Sequence, residues 1–261
     1  QGAVTYVGKA TNLRQRVRSY FYGDTRRSVA TMLTELAKID HVACPTELEA
    51  SILELRLIHH HVPRHNRRSK PPKAQHWVRL TDETFPRLTI ARTHRPDDPT
   101  ALGPFRSRKA AEAVQHALWD ATPVRRCTGR PGSKDGPCRF AQLGVALCPC
   151  DGTLDRDAYA VAIAPIRRSV DGADHLLDPL AARMRGLAAA ERFEEAGWLR
   201  DRHRSLRRAL ERRHRWQLLQ EAGRVVATDG EAFVVVDHGR FVTSWVGDQP
   251  LLPGPEDAEA T

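Results

Sequence analysis

The period at which apolar residues recur changes along the chain, and this restricts its architecture most. They recur at helical spacing over 13–21, 46–62, 107–120 and 180–210 and alternate over 77–91 and 224–246. The longest uninterrupted apolar run is the seven residues Ala158–Ala164. Such a pattern predicts an α+β chain of helices and small antiparallel sheets. Crossing a bilayer takes about 18–20 apolar residues, so no membrane span and no membrane partner are expected. The 261 residues suffice for one large or two small domains plus an appendage. Apolar residues at 41% and charged residues at 28% exclude a disordered or collagen-like chain.

The net charge of +9 is unevenly placed, with 13 Lys and Arg against 6 Asp and Glu in residues 1–73. A basic first quarter favours a polyanionic partner, because binding to phosphates releases their counterions.

Ala3–Val7 reads as a strand, Gly8 as a turn, and Thr11 or Asn12 as the cap of a basic helix with an apolar stripe of Leu13, Val17, Tyr20 and Phe21. Arg16 lies beside that stripe, one turn before Tyr20. A second helix is expected over about 28–38, carrying Met32, Leu33 and Leu36. The clearest start signal is Thr46-Glu47-Leu48-Glu49, a capping box opening a helix whose expected inner face is Leu48, Ile52 and Leu55. Glu54 falls about 40° from Ile58, at the margin of the core face. Pro63 ends this helix, and Arg64–Lys73 reads as a basic loop. His59-His60-His61 cannot converge on one ion, since consecutive helical residues point about 100° apart.

A hairpin over Trp77–Ala91, turning at Asp82–Pro86, precedes a helix over 107–120 with Ala110, Val114, Ala117 and Leu118 inward. After a polar linker at 168–178 comes a helical hairpin: Leu180, Met184 and Leu187 on its first arm, a bend near Glu191–Arg192, then Phe193, Ala196, Leu199, Leu206 and Leu210. Short strands with Asp-Gly and His-Gly turns follow over Arg224–Val246. Pro253–Thr261 reads as a disordered tail.

Four of five cysteines, Cys127, Cys138, Cys148 and Cys150, lie within 24 residues and Cys44 lies apart. This is no secreted disulfide framework; it fits a reducing cytoplasm and either four metal-free structural thiols or a metal centre, tetrahedral Zn²⁺ or a 4Fe–4S cluster. A single residue between Cys148 and Cys150 strains their joint ligation, so at least three of the four are expected to serve.

Several blocks in order resemble the UvrC-like GIY-YIG endonucleases of the excinuclease family. They are Tyr6-Val7-Gly8-Lys9-Ala10 with Leu13, Arg16, Ser19 and Tyr20; Thr46-Glu47-Leu48-Glu49-Ala50; Leu53-Glu54; and Pro63-Arg64-His65-Asn66. Phe85-Pro86-Arg87 and Gly103-Pro104-Phe105 also match UvrC-like stretches. The hairpin around Arg192-Phe193-Glu194-Glu195-Ala196 and Leu199-Arg200-Asp201 resembles the UVR motif by which such proteins hold UvrB. The blocks divide the chain into a nuclease domain at 1–73, a cysteine-bearing linker region at 74–167, a UVR hairpin at 168–222, a β-rich segment at 223–252 and the tail.

The resemblance implies a small mixed α/β nuclease domain that hydrolyses a phosphodiester of damaged double-stranded DNA with Mg²⁺ or Mn²⁺. Glu54 would hold the metal, Tyr6 would position or deprotonate the attacking water, and Arg16 would neutralise the scissile phosphate. Lys9, Tyr20 and Asn66 would support the site, and Lys9 would be the cation beside Tyr6. On the hairpin, Phe193, Glu194, Ala196, Leu199 and Arg200 would bind UvrB, with Phe193 an apolar pin between the two helices. The family's four cysteines in the matching region favour iron–sulfur, although its third position falls here on Ala146. The family's first strand, bearing a second site tyrosine, is expected upstream of Gln1. No counterpart of its second nuclease domain is read after residue 222, which implies one incision. The competing reading is a non-catalytic adaptor that binds DNA and UvrB.

Overall fold

A computed structural model describes residues 3–22, 25–71, 74–95, 98–133, 136–168 and 174–248. The chain is α+β and divides into two compact units, one of residues 1–72 with 219–261 and one of residues 73–218. The expected tail at 253–261 lies outside the described residues. No helix among the described residues is long and apolar enough to cross a membrane.

The first unit contains α1 (Leu13–Phe21), α2 (Arg27–Thr34) and α3 (Glu47–His61), together with the meander β4 (Arg224–Asp229), β5 (Ala232–Asp237) and β6 (Arg240–Val246). Asn12 caps α1, its Oδ1 accepting from Gln15 N–H at 2.9 Å. Thr46 caps α3 as the capping box predicts, accepting from Glu49 N–H. The return half of that box is diverted: the Glu49 carboxylate accepts from the Ser244 hydroxyl of β6 at 2.6 Å. Since Ser244 gives its proton to Glu49, Thr46 donates to Ser244 Oγ at 2.7 Å. The His238-Gly239 turn between β5 and β6 has positive φ at both residues, the twist that a two-residue hairpin requires.

Expectations fail at three places in this unit. Ala3–Val7 is not a strand, because no described strand pairs with it; its backbone bonds instead to the loop after α3. The inner face of α3 is also rotated from the expected one, with Leu48 and Leu55 exposed and Ile58 buried. That rotation turns Glu54, one turn before Ile58, inward to a half-buried position. The α1 stripe is likewise only partly covered, with Val17 and Tyr20 half-buried and Leu13 and Phe21 exposed.

The second unit is built on an antiparallel sheet of β1 (His76–Leu80), β2 (Leu88–Ala91) and β3 (Leu102–Phe105) in the order β2-β1-β3. Trp77 pairs with Ala91 and Leu80 with Leu88, the register set by the expected hairpin. Gly103 is required at its position, because a Cβ there would stand 2.6 Å from Trp77 Cε3. Helix α4 (Arg108–Ala121) lays Ala111, Val114, Ala117 and Leu118 on the sheet, while the predicted inward Ala110 is exposed. A four-residue α5 (Arg139–Gln142) lies among the cysteines.

Helix α6 (Arg156–Arg167) contains the run Ala158–Ala164 and buries Tyr159, Ile163 and Ile166. Helices α7 (Asp174–Ala189) and α8 (Phe193–Glu221) form the expected hairpin, with Glu191 at φ 58° in the bend. Of the expected polar linker 168–178, residues 169–173 lie outside the described residues and Asp174 already begins α7. Leu180, Leu199, Leu206 and Leu210 join the core of the sheet and α4. Phe193 is not a pin between the helices: it is 67% exposed at the first position of α8, where Ala196 and Leu199 take the buried face instead.

Candidate functional site

Helix α1 presents Arg16 and Tyr20 on one face, four residues apart, toward Tyr6. The Tyr20 hydroxyl donates to the Tyr6 oxygen at 3.2 Å, the rings standing edge to face at 78° with centroids 6.0 Å apart. The Arg16 guanidinium carbon lies 5.0 Å from the centre of the Tyr20 ring and faces both hydroxyls. The phenolic oxygens hold the Arg16 proton more firmly than usual, Tyr20 contributing most. Burial first, then the hydrogen bond with Tyr6, pushes the Tyr20 phenol up to about 12.

Asn66 is buried and both ends of its amide are engaged by the Tyr6–Val7 segment: Oδ1 accepts from Val7 N–H at 3.0 Å and Nδ2 donates to Val7 O at 2.8 Å. His65 N–H donates to Thr5 O at 3.1 Å. The loop after α3 thereby does the pairing that a neighbouring strand would do and fixes the backbone that carries Tyr6.

Tyr6, Arg16, Tyr20, Glu54 and Asn66 line one cavity of about 520 Å³. Five of the six expected nuclease residues thus come together. Lys9 does not join them, because its ammonium pairs with Glu47 at 2.8 Å and donates to Ser51 at 2.7 Å in the first turns of α3. The cation beside Tyr6 is Arg16. Sequence reasoning missed Arg67 and Arg68, which also line the cavity. Their signal was the basic run after Pro63, which gave a loop and no direction.

The donor set suits a hard divalent cation. Such an ion needs oxygen ligands and keeps several waters, so one carboxylate, Glu54, with oxygens of a bound phosphate is a sufficient set. Among the described residues, the one group of three or more metal-ligating side chains is that of the cysteines.

The sulfurs of Cys127, Cys138, Cys148 and Cys150 all lie within 4.8 Å of one another. Cys148 and Cys150 both belong to this group, so the single intervening Pro149 does not keep either out. Cys138, Cys148 and Cys150 are buried. Burial and the adjacent sulfurs of Cys148 and Cys127 push the Cys150 thiol up to about 12. On the α7–α8 hairpin, Phe193, Glu194 and Arg200 are exposed, whereas Ala196 and Leu199 face the core.

Residues 1–67 match the UvrC-like GIY-YIG domain and residues 75–169 the middle domain of UvrC/Cho excinucleases. The chain is 36% identical to the UvrABC system protein C of Natronomonas pharaonis over 99% of its own length and 46% of that protein. It is 35% identical to the protein of that name from Moorella thermoacetica, over 81% of this chain and 35% of the relative. The Geobacter metallireducens protein is also 35% identical, over 91% of this chain and 38% of its own length. The chain thus spans less than half the length of these relatives. No solved structure matches it. With both domains matched in order and this level of identity along most of its length, the chain belongs to the UvrC family.

Proposed function

We propose that this chain is the incising part of a nucleotide excision repair nuclease that makes one metal-dependent cut in damaged duplex DNA. The observation that supports it most is the convergence of Tyr6, Arg16, Tyr20, Glu54 and Asn66 on one cavity. Mg²⁺ or Mn²⁺ held by Glu54 would offset the charge that builds on the scissile phosphate. Arg16 supplies a second cation for the same charge, already oriented by the two tyrosines, so little reorganisation accompanies the reaction. Tyr6 positions the attacking water. Tyr20 stays protonated at neutral pH and holds the Tyr6 oxygen in place, and Asn66 fixes the backbone on which Tyr6 stands. Lys9 steadies the start of α3 through Glu47 and reaches the site only through that helix.

In this reading residues 1–73 form the nuclease domain, and residues 74–167 bind a metal through at least three of the four cysteines. Residues 168–222 dock UvrB through Phe193, Glu194 and Arg200, while Ala196 and Leu199 keep the hairpin packed. In the β-rich segment 223–252, Ser244 braces α3. The test is incision of a duplex bearing one bulky lesion by the intact protein with UvrB. Nicking that requires Mg²⁺ or Mn²⁺ and stops on chelation is the expected result. Binding of the duplex with no cut in either metal would replace the nuclease reading with that of an adaptor.

A further inference from the structure

We propose that the four cysteines enclose a single tetrahedral ion, of which Zn²⁺ is the natural occupant, and not the iron–sulfur cluster that the family resemblance implies. The inference rests on the metal-binding reading above and narrows it by size. The four sulfurs lie within 4.8 Å of one another, with Cys127 to Cys148 at 3.6 Å and Cys127 to Cys150 at 3.5 Å. Zinc–thiolate bonds of about 2.3 Å at tetrahedral angles place the sulfurs about 3.8 Å apart. A cubane carries its thiolates outward from the corners of an iron tetrahedron, which sets them about 6 Å apart. The observed cage matches the first size and would have to open at every edge for the second.

The surroundings oppose that opening. Cys150 is fully buried, and a Cβ on Gly129 would stand 3.1 Å from its sulfur, so the Gly129 backbone lies directly against it. The Gly129 carbonyl accepts from Arg125, whose Nε also donates to Cys127 Sγ at 3.3 Å. Arg125 is itself 3% exposed and held at 3.1 Å by both the Glu83 carboxylate and the Phe85 carbonyl. One anchored guanidinium therefore fixes a sulfur of the cage and the loop that closes over another. Cys150 N–H donates to Cys148 Sγ at 3.4 Å, so the Cys148-Pro149-Cys150 segment folds inward on the same centre. Both N–H···S bonds favour thiolate, the form a metal takes, and the arginine opposes the excess negative charge of four thiolates around a dication.

The test uses the full chain purified anaerobically, one portion incubated with Zn²⁺ and another with ferrous iron and sulfide. Each is then desalted and assayed for zinc, iron, acid-labile sulfide and visible absorbance. Co²⁺ added to the metal-free chain reports geometry through its tetrahedral thiolate spectrum. The expected result is one zinc per chain, no stoichiometric sulfide or iron-cluster absorbance, and a tetrahedral Co²⁺ spectrum whose affinity falls at least tenfold in both Cys148→Ser and Cys150→Ser. About four irons and four sulfides per chain would overturn the single-ion proposal and leave the metal-binding reading standing. Less than a tenth of an equivalent of either metal in both portions would overturn the two together.

Discussion

Replacing Tyr159 by Phe removes one oxygen from the second unit, and the structure fixes what that costs. The hydroxyl accepts from the backbone N–H of Arg125 at 3.0 Å and donates to the carbonyl of Pro86, both within the core. It thereby ties α6 to the β1–β2 turn and to the start of the cysteine loop. Phe keeps the ring and its edge-to-face contact with Phe85, so apolar burial is unchanged. What is lost is the partner of a buried N–H and of a buried C=O, at about 1–3 kcal/mol each; allowing for the hydroxyl no longer desolvated, the net is about 2–4 kcal/mol.

Urea unfolding followed by tryptophan fluorescence should show this as a midpoint lower by about 1–2 M with unchanged slope. The loss should also depend on pH. Burial pushes the Tyr159 phenol from its ordinary value of 10.0 up to about 12. Because the folded value lies above the unfolded one, the contribution is whole below pH 10 and fades as pH rises through 12. The gap between wild type and Tyr159→Phe should therefore narrow over that interval. A midpoint shift below about 0.3 M at neutral pH would refute the hydrogen-bond account, since even one orphaned group should exceed it.

Phe193→Ala should leave stability within about 0.5 kcal/mol of wild type but weaken capture by UvrB, whereas Leu199→Ala should cost about 2–5 kcal/mol in denaturant unfolding. Ser244→Ala deprives Thr46 and Glu49 of their shared partner, so the first unit should lose about 1–2 kcal/mol in a thermal melt, with the N-cap bond from Glu49 N–H retained.

The features legible in the sequence are those set by neighbours in the chain. Thr46 caps α3, His238-Gly239 makes the tight turn and the Trp77–Ala91 hairpin keeps its register because each rests on a few adjacent residues. Two of the failures depend on what stands opposite. Periodicity supplies a stripe on α3, but only the packing of Ile58 shows which edge is covered, and with it that Glu54 turns inward. Ala3–Val7 has strand composition but bonds to the Asn66 loop.

Helix α6 is illegible because Ala158–Ala164 is apolar at every position and so carries no period, and Pro165 argues against a helix that nevertheless runs to Arg167. Lys9 sits in the family motif, yet its ammonium is held by Glu47 and Ser51 and it does not line the cavity. The resemblance collects the site's residues, and the geometry separates those that face the cavity from the one that does not. The Cys148-Pro149-Cys150 spacing looks too short for both thiols to serve; the fold of the loop around Arg125 brings them together.

The most direct measurement of the central claim is the single-turnover rate at which the intact protein, with UvrB and saturating Mg²⁺, nicks a lesion-bearing duplex in the wild type and in Glu54→Gln. The substitution keeps the side-chain volume and removes the charge, so circular dichroism should show the same fold. Loss of the carboxylate proposed to hold the metal should cost several kcal/mol of transition-state stabilisation, a fall on the order of 10²-fold or more in rate. A Glu54→Gln protein that nicks at close to the wild-type rate would contradict the assignment of this cavity as the incision site.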